Sequence, residues 1–329
     1  MVLATGDFSR LLLMNVSVLI PCFNASRFIL DTLDSAIQNM EPGDEIVLVD
    51  DHSSDDSMTK AAAFLQQTGV DHQIETNPDK GACTARNHGL SLAKGDLIQW
   101  LDADDLLGAA KVATQRQHLH PGGRAMVVSP FQTFLDKADH NRATEECDWI
   151  ALTQPSPADW LASGKMTVPA CWLGNREVFE AAGPWDTSLE VNQDGEYFAR
   201  ALAAAEALHL ETRVRAHYRR GIPGSVSRFT AQKAPSLFQS IHSIHNTALS
   251  LEDSPRMRQM IANRYQHAIY TAYPHCPEGI RVARKKLEDL PKPTIPNPNA
   301  ISLLSRVICL LLGWKTLSQL RLLRDRLSS

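Results

Sequence analysis

Short apolar runs alternate with apolar residues at helical spacing through the first third of the chain. The runs are rich in Val, Ile and Leu and predict strands at residues 16–20, 45–49 and 97–101, with a shorter strand at 73–75. The helical spacing predicts helices between those strands, at residues 29–40, 58–65 and 82–94. Near-continuous apolar strands joined by helices are typical of a parallel sheet covered on both faces. We therefore predict an α/β fold with a mainly parallel central sheet flanked by helices.

Polar and glycine residues beside these stripes predict where the helices begin and end. Asn24 or Ser26 is the candidate N-cap of the first helix, and Ser54 is that of the second, because such side chains accept hydrogen bonds from free backbone amides. Gly95 is the expected C′ glycine of the third helix.

The rest of the chain has a more mixed pattern. It predicts strands at residues 125–129 and 131–135 and short helices at 157–163 and 176–182. Residues 208–218 alternate apolar and polar positions throughout, which predicts one strand with Arg213, Arg215 and His217 on its polar face. Beyond about residue 230 the spacing is helical, so we predict a helical C-terminal extension with a proline-rich linker at 291–298.

The C-terminal tail, residues 301–329, is rich in leucine and has five basic residues against one acid, Asp325. Its longest uninterrupted apolar stretch, residues 307–312, is too short to cross a bilayer. Two interpretations stay open. The tail is a helix packed on the main domain, or it is an amphipathic helix that contacts anionic lipid peripherally.

The composition narrows the class of protein. The chain has 329 residues, 43% of them hydrophobic and 21% charged, which excludes a disordered or collagen-like chain. Its net charge of -4 argues against nucleic acid as a partner. The six cysteines are scattered without a CxxC pair, which favours reduced thiols over disulfides or structural zinc. We therefore predict a cytoplasmic protein, peripheral to the inner face of the membrane if the tail binds lipid.

Acidic residues follow the ends of predicted strands. Asp102, Asp104 and Asp105 come directly after the strand at 97–101, and ligands of parallel sheets bind beyond such carboxyl ends. Neighbouring carboxylates repel each other unless a cation or a proton lies between them, and their hard oxygens favour Mg²⁺ or Mn²⁺. A metal–diphosphate site is the hypothesis, and a solvated acidic turn is the alternative.

Two further acidic positions carry candidate chemistry. Asp51 ends the second strand, where its carboxylate can accept a hydrogen bond from a ribose or a base, or simply cap the next helix. Asp194 lies in the stretch Asn-Gln-Asp-Gly-Glu, where it is a helix cap or a catalytic carboxylate, and Glu196 is the competing acid.

Five ordered blocks, at residues 16–24, 45–53, 81–89, 95–105 and 192–196, resemble family 2 glycosyltransferases. The resemblance covers about residues 14–228. It implies a GT-A fold, which is Rossmann-like, and inverting transfer of a sugar from a nucleotide sugar to an acceptor hydroxyl. On this basis we expect an N-terminal arm at 1–13, a glycosyltransferase domain at 14–228 and a helical region with a basic tail at 229–329.

The resemblance also implies roles for individual residues. Asp194 matches the catalytic base of the family. Asp102 and Asp104 match its DxD motif, with Asp104 as the better ligand of Mn²⁺ or Mg²⁺, Asp102 nearer the ribose and phosphates, and His217 as a looser candidate ligand. The expected nucleotide-sugar-binding residues are Pro21, Phe23, Asn24, Asp51, Arg86, Asp102, Asp104, Arg219 and Arg220.

The expected donor is a UDP-sugar, and the expected acceptor is a glycan, a lipid-linked glycan or a protein. Trp172 and Trp185 are the better candidates for stacking on the acceptor. A non-catalytic sugar- or lipid-binding scaffold with the same fold is the alternative function. A dinucleotide oxidoreductase is disfavoured because no GxGxxG follows the first strand, and a nucleotidyltransferase because no glycine-rich basic loop does.

Overall fold

The computed structural model describes residues 14–135, 153–165, 167–222, 229–298, 300 and 302–327. The strands are β1 (Val16–Cys22), β2 (Glu45–Asp50), β3 (Asp71–Thr76), β4 (Leu97–Trp100), β5 (Leu106–Leu107), β6 (Ala125–Val128), β7 (Phe131–Phe134), β8 (Trp172–Asn175), β9 (Ala207–Leu210) and β10 (Ala216–Arg219). The helices are α1 (Ile29–Ile37), α2 (Ser57–Leu65), α3 (Ala82–Leu92), α4 (Lys111–Arg116), α5 (Pro157–Ser163), α6 (Arg176–Ala181), α7 (Gln193–Ala204), α8 (Ala234–Leu251), α9 (Pro255–Ala272), α10 (Pro277–Glu288), α11 (Leu303–Leu312) and α12 (Trp314–Leu327). The predicted arm at 1–13 lies outside the described residues.

The chain divides into two compact units. The first comprises Met1–Trp160, Lys165–Thr187 and Tyr197–Gly224, and the second comprises Leu161–Gly164, Ser188–Glu196 and Ser225–Ser329. The domain boundaries expected from the sequence stay a prediction.

A mixed sheet forms the centre of the first unit, in the order β3-β2-β1-β4-β8-β6-β9. Strands β1 to β4 run parallel, β8 is antiparallel to β4 and β6, and β9 runs parallel to β6. A small second sheet has the order β5-β10-β7. The predicted α/β fold, with a mainly parallel sheet flanked by helices and a helical C-terminal region, is confirmed.

The central strands are buried on both faces, as their near-continuous apolar sequences predict. Helix α3 packs on β1 and β2, where a Cβ at its Gly89 would make an ordinary contact with Val49 at 3.5 Å. Gly95 is more restricted. A Cβ at Gly95 would overlap the backbone of β1 at Ser17, so the residue is required by close packing.

The helix ends differ from the sequence prediction. Helix α1 begins at Ile29 and α2 at Ser57, so the caps predicted at Asn24 or Ser26 and at Ser54 are wrong. Those polar groups bond to each other instead: the Ser54 amide donates to Asn24 Oδ1 at 2.8 Å. The Asn24 side chain therefore connects the segments that follow β1 and β2, and it does not cap a helix.

Residues 208–218 form two short strands in different sheets, so the prediction of one continuous strand is wrong. The chain bends at residues 213–214, where the Glu211 carboxylate accepts hydrogen bonds from the Arg213 amide at 2.8 Å and from its guanidinium. The alternating pattern continues through the turn, but the hydrogen-bonding partners change there.

Aromatic side chains fill the core of the first unit. Trp185 stacks on Tyr197 with ring centroids 4.0 Å apart, and Trp172 stacks on Phe198 at 5.1 Å. Trp172 and Trp185 are 0% and 1% exposed. The prediction that these two rings face an acceptor is therefore wrong, because tertiary packing uses them as core residues.

Lys111 is an unusual member of this core. It is completely buried, and its Nζ lies 2.8 Å from Gln99 Oε1 and 2.6 Å from Gln115 Oε1. Burial lowers the pKa of this amine to about 7. The two amide oxygens therefore accept hydrogen bonds from an amine that is largely uncharged above neutral pH.

We expect wild-type stability to rise with pH, relative to a Lys111→Met variant, by up to about 1.4 kcal/mol per pH unit between about pH 7 and 10. In this window the unfolded lysine is protonated and the buried one is not, so the unfolded state binds more protons. Denaturant unfolding of both proteins at several pH values measures the difference. Parallel pH profiles for the two proteins would contradict a neutral buried amine.

The second unit is helical. Helices α8 and α9 pack against each other, and α10 packs on both. Their contact faces bury aliphatic side chains, among them Ile241, Ile244, Met257, Ile261 and Ile269. Among the described helices, none has the length and apolar character needed to cross a bilayer.

Candidate functional site

Polar residues gather at the carboxyl ends of β1, β2 and β4 in the first unit. Backbone hydrogen bonds continue past the strands there: the Asp51 amide donates to the Cys22 carbonyl at 2.7 Å, and the Asn77 amide donates to the Asp50 carbonyl at 2.8 Å. The strand ends are thus held in register, and the side chains that follow them share one edge of the sheet, as the sequence predicted.

Asp51 has a fixed orientation at this edge. It is 7% exposed, and its Oδ1 accepts hydrogen bonds from Asn77 Nδ2 and from the Gly81 amide, both at 2.7 Å. Gly81 has φ +138° at the start of α3, a backbone conformation that favours glycine. The carboxylate is therefore held by two donors from the loop between β3 and α3 before any ligand binds.

Sequence reasoning missed Asn77. The residue is 1% exposed, and among the described residues no donor reaches its buried Oδ1. Its position directly after β3 is the signal that could have identified it, because it follows a parallel strand as Asp51 does.

The end of β1 presents an exposed aromatic ring. Phe23 is 48% exposed, and the Lys80 ammonium lies 5.2 Å from the centre of its ring. Asn24 follows with φ +48° and bonds to Ser54, while Pro21 pairs with Val49 in the β1–β2 ladder. The expected nucleotide-binding residues of this segment therefore lie beside Asp51.

Asp102 is paired with an arginine. Its Oδ1 lies 2.7 Å from a terminal guanidinium nitrogen of Arg86, which is 9% exposed. The same guanidinium lies 4.7 Å from the centre of the Trp185 ring. An aromatic face and a carboxylate together fix the arginine, and the arginine in turn fixes Asp102.

The following acids are partly or fully buried. Burial, together with the charge of Asp102, raises the pKa of Asp104 to about 6. Asp105 is completely buried, and burial and the charges of Asp104 and Asp102 raise its pKa well above its usual range. Its Oδ1 accepts a hydrogen bond from the Arg219 amide at 2.8 Å, whereas Oδ2 receives none from any residue that the structure describes.

Arg219 binds the acidic turn that contains Asp102, Asp104 and Asp105. Its Nε donates to the Asp104 carbonyl at 2.9 Å, and its guanidinium lies 4.5 Å from the ring centres of both Phe28 and Phe134. The residue is 4% exposed. Sequence reasoning marked Arg219 as a donor to phosphate but missed both phenylalanines, which come from distant segments and carry no local signal.

The two remaining candidates of the first unit lie at β10. His217 is 1% exposed, and Gly108 packs closely enough that a Cβ there would lie 3.5 Å from His217 Nε2. Arg220 is exposed beside the Tyr218 ring. In the part of the chain that the structure describes, no group of three or more His, Cys, Asp or Glu side chains is arranged to hold a metal ion. The ligand role of His217 stays a prediction.

The acidic turn nevertheless has the chemistry of a two-carboxylate metal site. Mg²⁺ and similar ions are commonly held by one or two carboxylates, with water and substrate phosphates as the other ligands. Burial and the charge of Asp102 raise the pKa of Asp104, and a nearby cation would favour the ionised carboxylate. The carboxylates of Asp102 and Asp104 are therefore chemically suitable ligands for a divalent ion.

Asp194 lies in the second unit, in the first turn of α7. Asn192 packs closely beside it: Asn192 has φ +57° and donates from Nδ2 to Ser240 Oγ at 3.0 Å, and a Cβ at Gly195 would overlap its side chain. Burial lowers the pKa of Arg264, and the negative charge of Asp194 offsets part of that effect.

The structure distinguishes Asp194 from the competing acid. Glu196 is 2% exposed and accepts a hydrogen bond from Ser243 Oγ at 2.7 Å, so it is an internal structural group. Asp194 is partly exposed, and one of its oxygens accepts from the Gly195 amide at 2.9 Å. Of the two acids, Asp194 is the one that solvent reaches more freely.

Comparison with known proteins gives one family for this chain. A model described as glycosyl transferase family 2 matches residues 17–183, about half of the chain. Similar curated proteins are "Glycosyltransferase GlyG" of Streptococcus pneumoniae serotype 4, 28% identical over 50% of this chain and 58% of its own length, and "Succinoglycan biosynthesis protein ExoU" of Rhizobium meliloti, 35% identical over 42% and 39%. A third, from Escherichia coli, is "UDP-Glc:alpha-D-GlcNAc-diphosphoundecaprenol beta-1,3-glucosyltransferase WfaP", 34% identical over 30% and 39%. The matches span between 39% and 58% of the length of these curated relatives.

Solved structures extend the similarity to most of the chain. S. aureus TarS 1-349 in complex with UDP has a TM-score of 0.61 at 15% identity, over 84% of this chain and 88% of that one. Mannosyltransferase PcManGT from Pyrobaculum calidifontis, in complex with GDP-Man and Mn2+, has a TM-score of 0.58 at 15% identity, over 95% and 88%. At these identities the likeness shows the fold alone.

Proposed function

Because this chain belongs to glycosyl transferase family 2 and has the GT-A fold, we propose that it transfers a sugar from a UDP-sugar to an acceptor hydroxyl. We further propose that transfer inverts the anomeric carbon and is assisted by Mn²⁺ or Mg²⁺. The alternative, a scaffold that binds sugar or lipid without transfer, would keep the fold but show no turnover.

One observation carries the proposal: Asp51 and the Asp102–Asp104 turn follow two parallel strands that flank β1. A carboxylate beside an exposed aromatic ring suits a nucleoside, since one can accept from the base and the other can stack on it. A pair of carboxylates that fits a divalent ion suits a diphosphate. Both halves of a nucleoside diphosphate therefore have suitable groups at one sheet edge.

The choice of UDP rests on related proteins. TarS binds UDP in its solved complex, and the name of WfaP specifies UDP-Glc as its donor. PcManGT binds GDP-Man, so the base must be tested directly in this chain. The name of WfaP also motivates a lipid-linked acceptor, and that of ExoU motivates a role in polysaccharide biosynthesis.

In the proposed reaction the leaving group is UDP, whose departure concentrates negative charge on the diphosphate. A bound divalent ion supplies positive charge to that diphosphate. Within the chain, Arg86 donates to the Asp102 carboxylate and orients it in advance, and Arg219 donates to the backbone carbonyl of Asp104 and holds the turn on which Asp104 lies. Arg220 is exposed and is our candidate for a direct contact with phosphate.

The acceptor hydroxyl is a weak nucleophile until it loses its proton. We assign the removal of that proton to the Asp194 carboxylate, as the new C–O bond forms and the bond to UDP breaks. One displacement opposite the leaving group inverts the anomeric carbon. It needs no carboxylate nucleophile, unlike the double displacement of retaining glycosidases.

Calorimetric titration with UDP, GDP, CDP and dTDP, in Mn²⁺, Mg²⁺ or EDTA, tests the donor site. We expect UDP to bind most tightly and to need the metal. An Asp51→Asn variant should lose roughly tenfold to a hundredfold in UDP affinity. Its amide oxygen can still accept from Asn77 and Gly81, but its NH₂ group is a donor where the carboxylate offered an acceptor to the base.

Asp71→Asn is the matched control. It makes the same substitution at an exposed residue that begins β3, at the end of the strand away from Asn77. It should leave UDP affinity unchanged. If no nucleotide binds under any of these conditions, the nucleotide-sugar function is wrong and the scaffold becomes the better explanation.

A further inference from the structure

Helix α11, in the second unit, exposes its apolar side to solvent. Five of its aliphatic residues are between 41% and 84% exposed: Leu303, Leu304, Val307, Leu310 and Leu311. At about 100° per residue these five positions form one continuous arc of about 120° with no polar residue within it. An arc of this kind normally faces a core.

The opposite side of α11 is the one that the protein buries. Ser305 is 6% exposed on that side, and Cys309 is partly buried. The helix is also properly capped, since Ser302 Oγ accepts a hydrogen bond from the Ser305 amide at 3.1 Å. The apolar side of α11 therefore faces solvent and its opposite side faces the protein, which is the reverse of an ordinary surface helix. The helix is nevertheless regular and capped.

Helix α12 and its neighbour α9 hold α11 in this orientation. Gly313, with φ +81°, connects α11 to α12. Trp314 then packs edge-on against Tyr270 and Tyr273 with ring centroids 5.0 Å apart, and Leu317 is 5% exposed. In the pair formed by α11 and α12, Trp314 and Leu317 of α12 make the buried apolar contacts. The leucines of α11 remain exposed to solvent.

The charge of this segment points to one kind of partner. Residues 301–329 contain five basic residues and one acid, a net charge of +4 in a chain whose net charge is -4. Basic segments beside an apolar helix face are attracted to the anionic headgroups of a bilayer. The arc itself is purely aliphatic, whereas the centres of protein interfaces are enriched in Trp, Tyr and Arg.

We propose that α11 lies in the plane of a bilayer containing anionic phospholipid, with its leucine arc in the boundary between headgroups and acyl chains. Ten residues of helix are about 15 Å long, which is half the thickness of a hydrocarbon core, so the helix binds the surface without crossing it. The proposal does not depend on the donor nucleotide or on catalysis.

Flotation of the full chain with vesicles tests this surface. We use vesicles of phosphatidylcholine and phosphatidylglycerol at about three to one, and vesicles of phosphatidylcholine alone. We expect binding to the anionic vesicles that weakens in high salt. A triple variant, Leu303→Ser, Leu310→Ser and Leu311→Ser, should lower the partition coefficient at least about tenfold.

Val282→Ser on α10 is the matched control, because Val282 is an exposed aliphatic residue of the same unit outside the arc. It should bind vesicles like the wild type. UDP affinity, measured without vesicles, should be the same in all three proteins and reports that the variants are folded.

Three outcomes would overturn the proposal. The first is unchanged vesicle binding by the triple variant, and the second is equal binding to both kinds of vesicle. The third is a wild-type dimer that the triple variant converts to a monomer in the absence of lipid, since the arc would then be covered by a second copy. A failure to bind UDP would contradict the proposed function and leave the vesicle result intact.

Discussion

Replacing Asp194 with asparagine is expected to lower kcat for sugar transfer by roughly 10²–10⁴-fold while leaving UDP affinity within about twofold of wild type. Asparagine preserves the size of the side chain and can still accept a hydrogen bond from the Gly195 amide. It cannot take a proton from the acceptor hydroxyl. Initial rates of UDP release with a donor and an acceptor, together with UDP titration, separate the loss of chemistry from a loss of binding.

Glu196→Gln provides the matched control for this prediction. The glutamine oxygen can still accept from Ser243, and Glu196 is too buried to meet an acceptor, so kcat should stay close to wild type. If Asp194→Asn keeps wild-type turnover, the assignment of the base is wrong. If it loses UDP affinity as well, Asp194 has a role in donor binding rather than in proton transfer.

Asp104→Asn is expected to remove metal-dependent UDP binding and most of the transfer activity, and at the same time to stabilise the metal-free protein above about pH 6. The loss follows because a neutral amide is a weaker ligand for a hard cation than a carboxylate. The gain in stability follows because burial and the charge of Asp102 raise the pKa of Asp104 to about 6. At neutral pH the wild-type protein therefore holds an unfavourable charge that asparagine lacks.

The sign of the pH effect is specific. Between about pH 4 and 6 the native carboxyl binds a proton that the unfolded one has lost, so this group makes stability fall as pH rises through that window. Thermal unfolding in EDTA should give Asp104→Asn a Tm a few degrees above wild type at about pH 7.5, and a difference that vanishes near pH 4. Asp71→Asn, on an exposed residue, should not shift Tm in this way.

Two results would contradict this account. Retention of Mn²⁺-dependent UDP binding by Asp104→Asn would move the metal to other ligands. An unchanged Tm at neutral pH would mean that the charge of Asp104 is already compensated in the metal-free protein. At such a residue the wild-type charge is expected to lower the stability of the ligand-free protein and to favour binding of the metal.

The positions of the strand-end acids were predictable because they depend on local order. An apolar run followed by Asp51 or Asp102 places the acid at the carboxyl end of a strand, and parallel strands bring such ends to one edge. The bounds of α5, Pro157–Ser163, were predicted correctly for the same reason. What the sequence could not predict was which neighbours orient those acids.

Partners from distant segments account for the errors. Asn77 and Gly81 fix Asp51, and Phe28 and Phe134 enclose Arg219, yet no local pattern in the sequence predicts these contacts. The caps at Asn24 and Ser54 failed because the two residues bond to each other across two strand ends. A local sequence pattern indicates which hydrogen bonds a side chain can make. Which of them form depends on the tertiary structure.

The exposure of individual side chains was equally hard to predict from local sequence patterns. Apolar spacing and strand direction are local properties, so the amino-acid sequence was enough to predict the α/β order of elements and the edge at which the acids meet. The burial of Trp172 and Trp185 and the outward orientation of the α11 leucines became visible only in the folded chain. The physical reason is that a side chain's exposure depends on what packs against it, and that neighbour is supplied by another part of the chain.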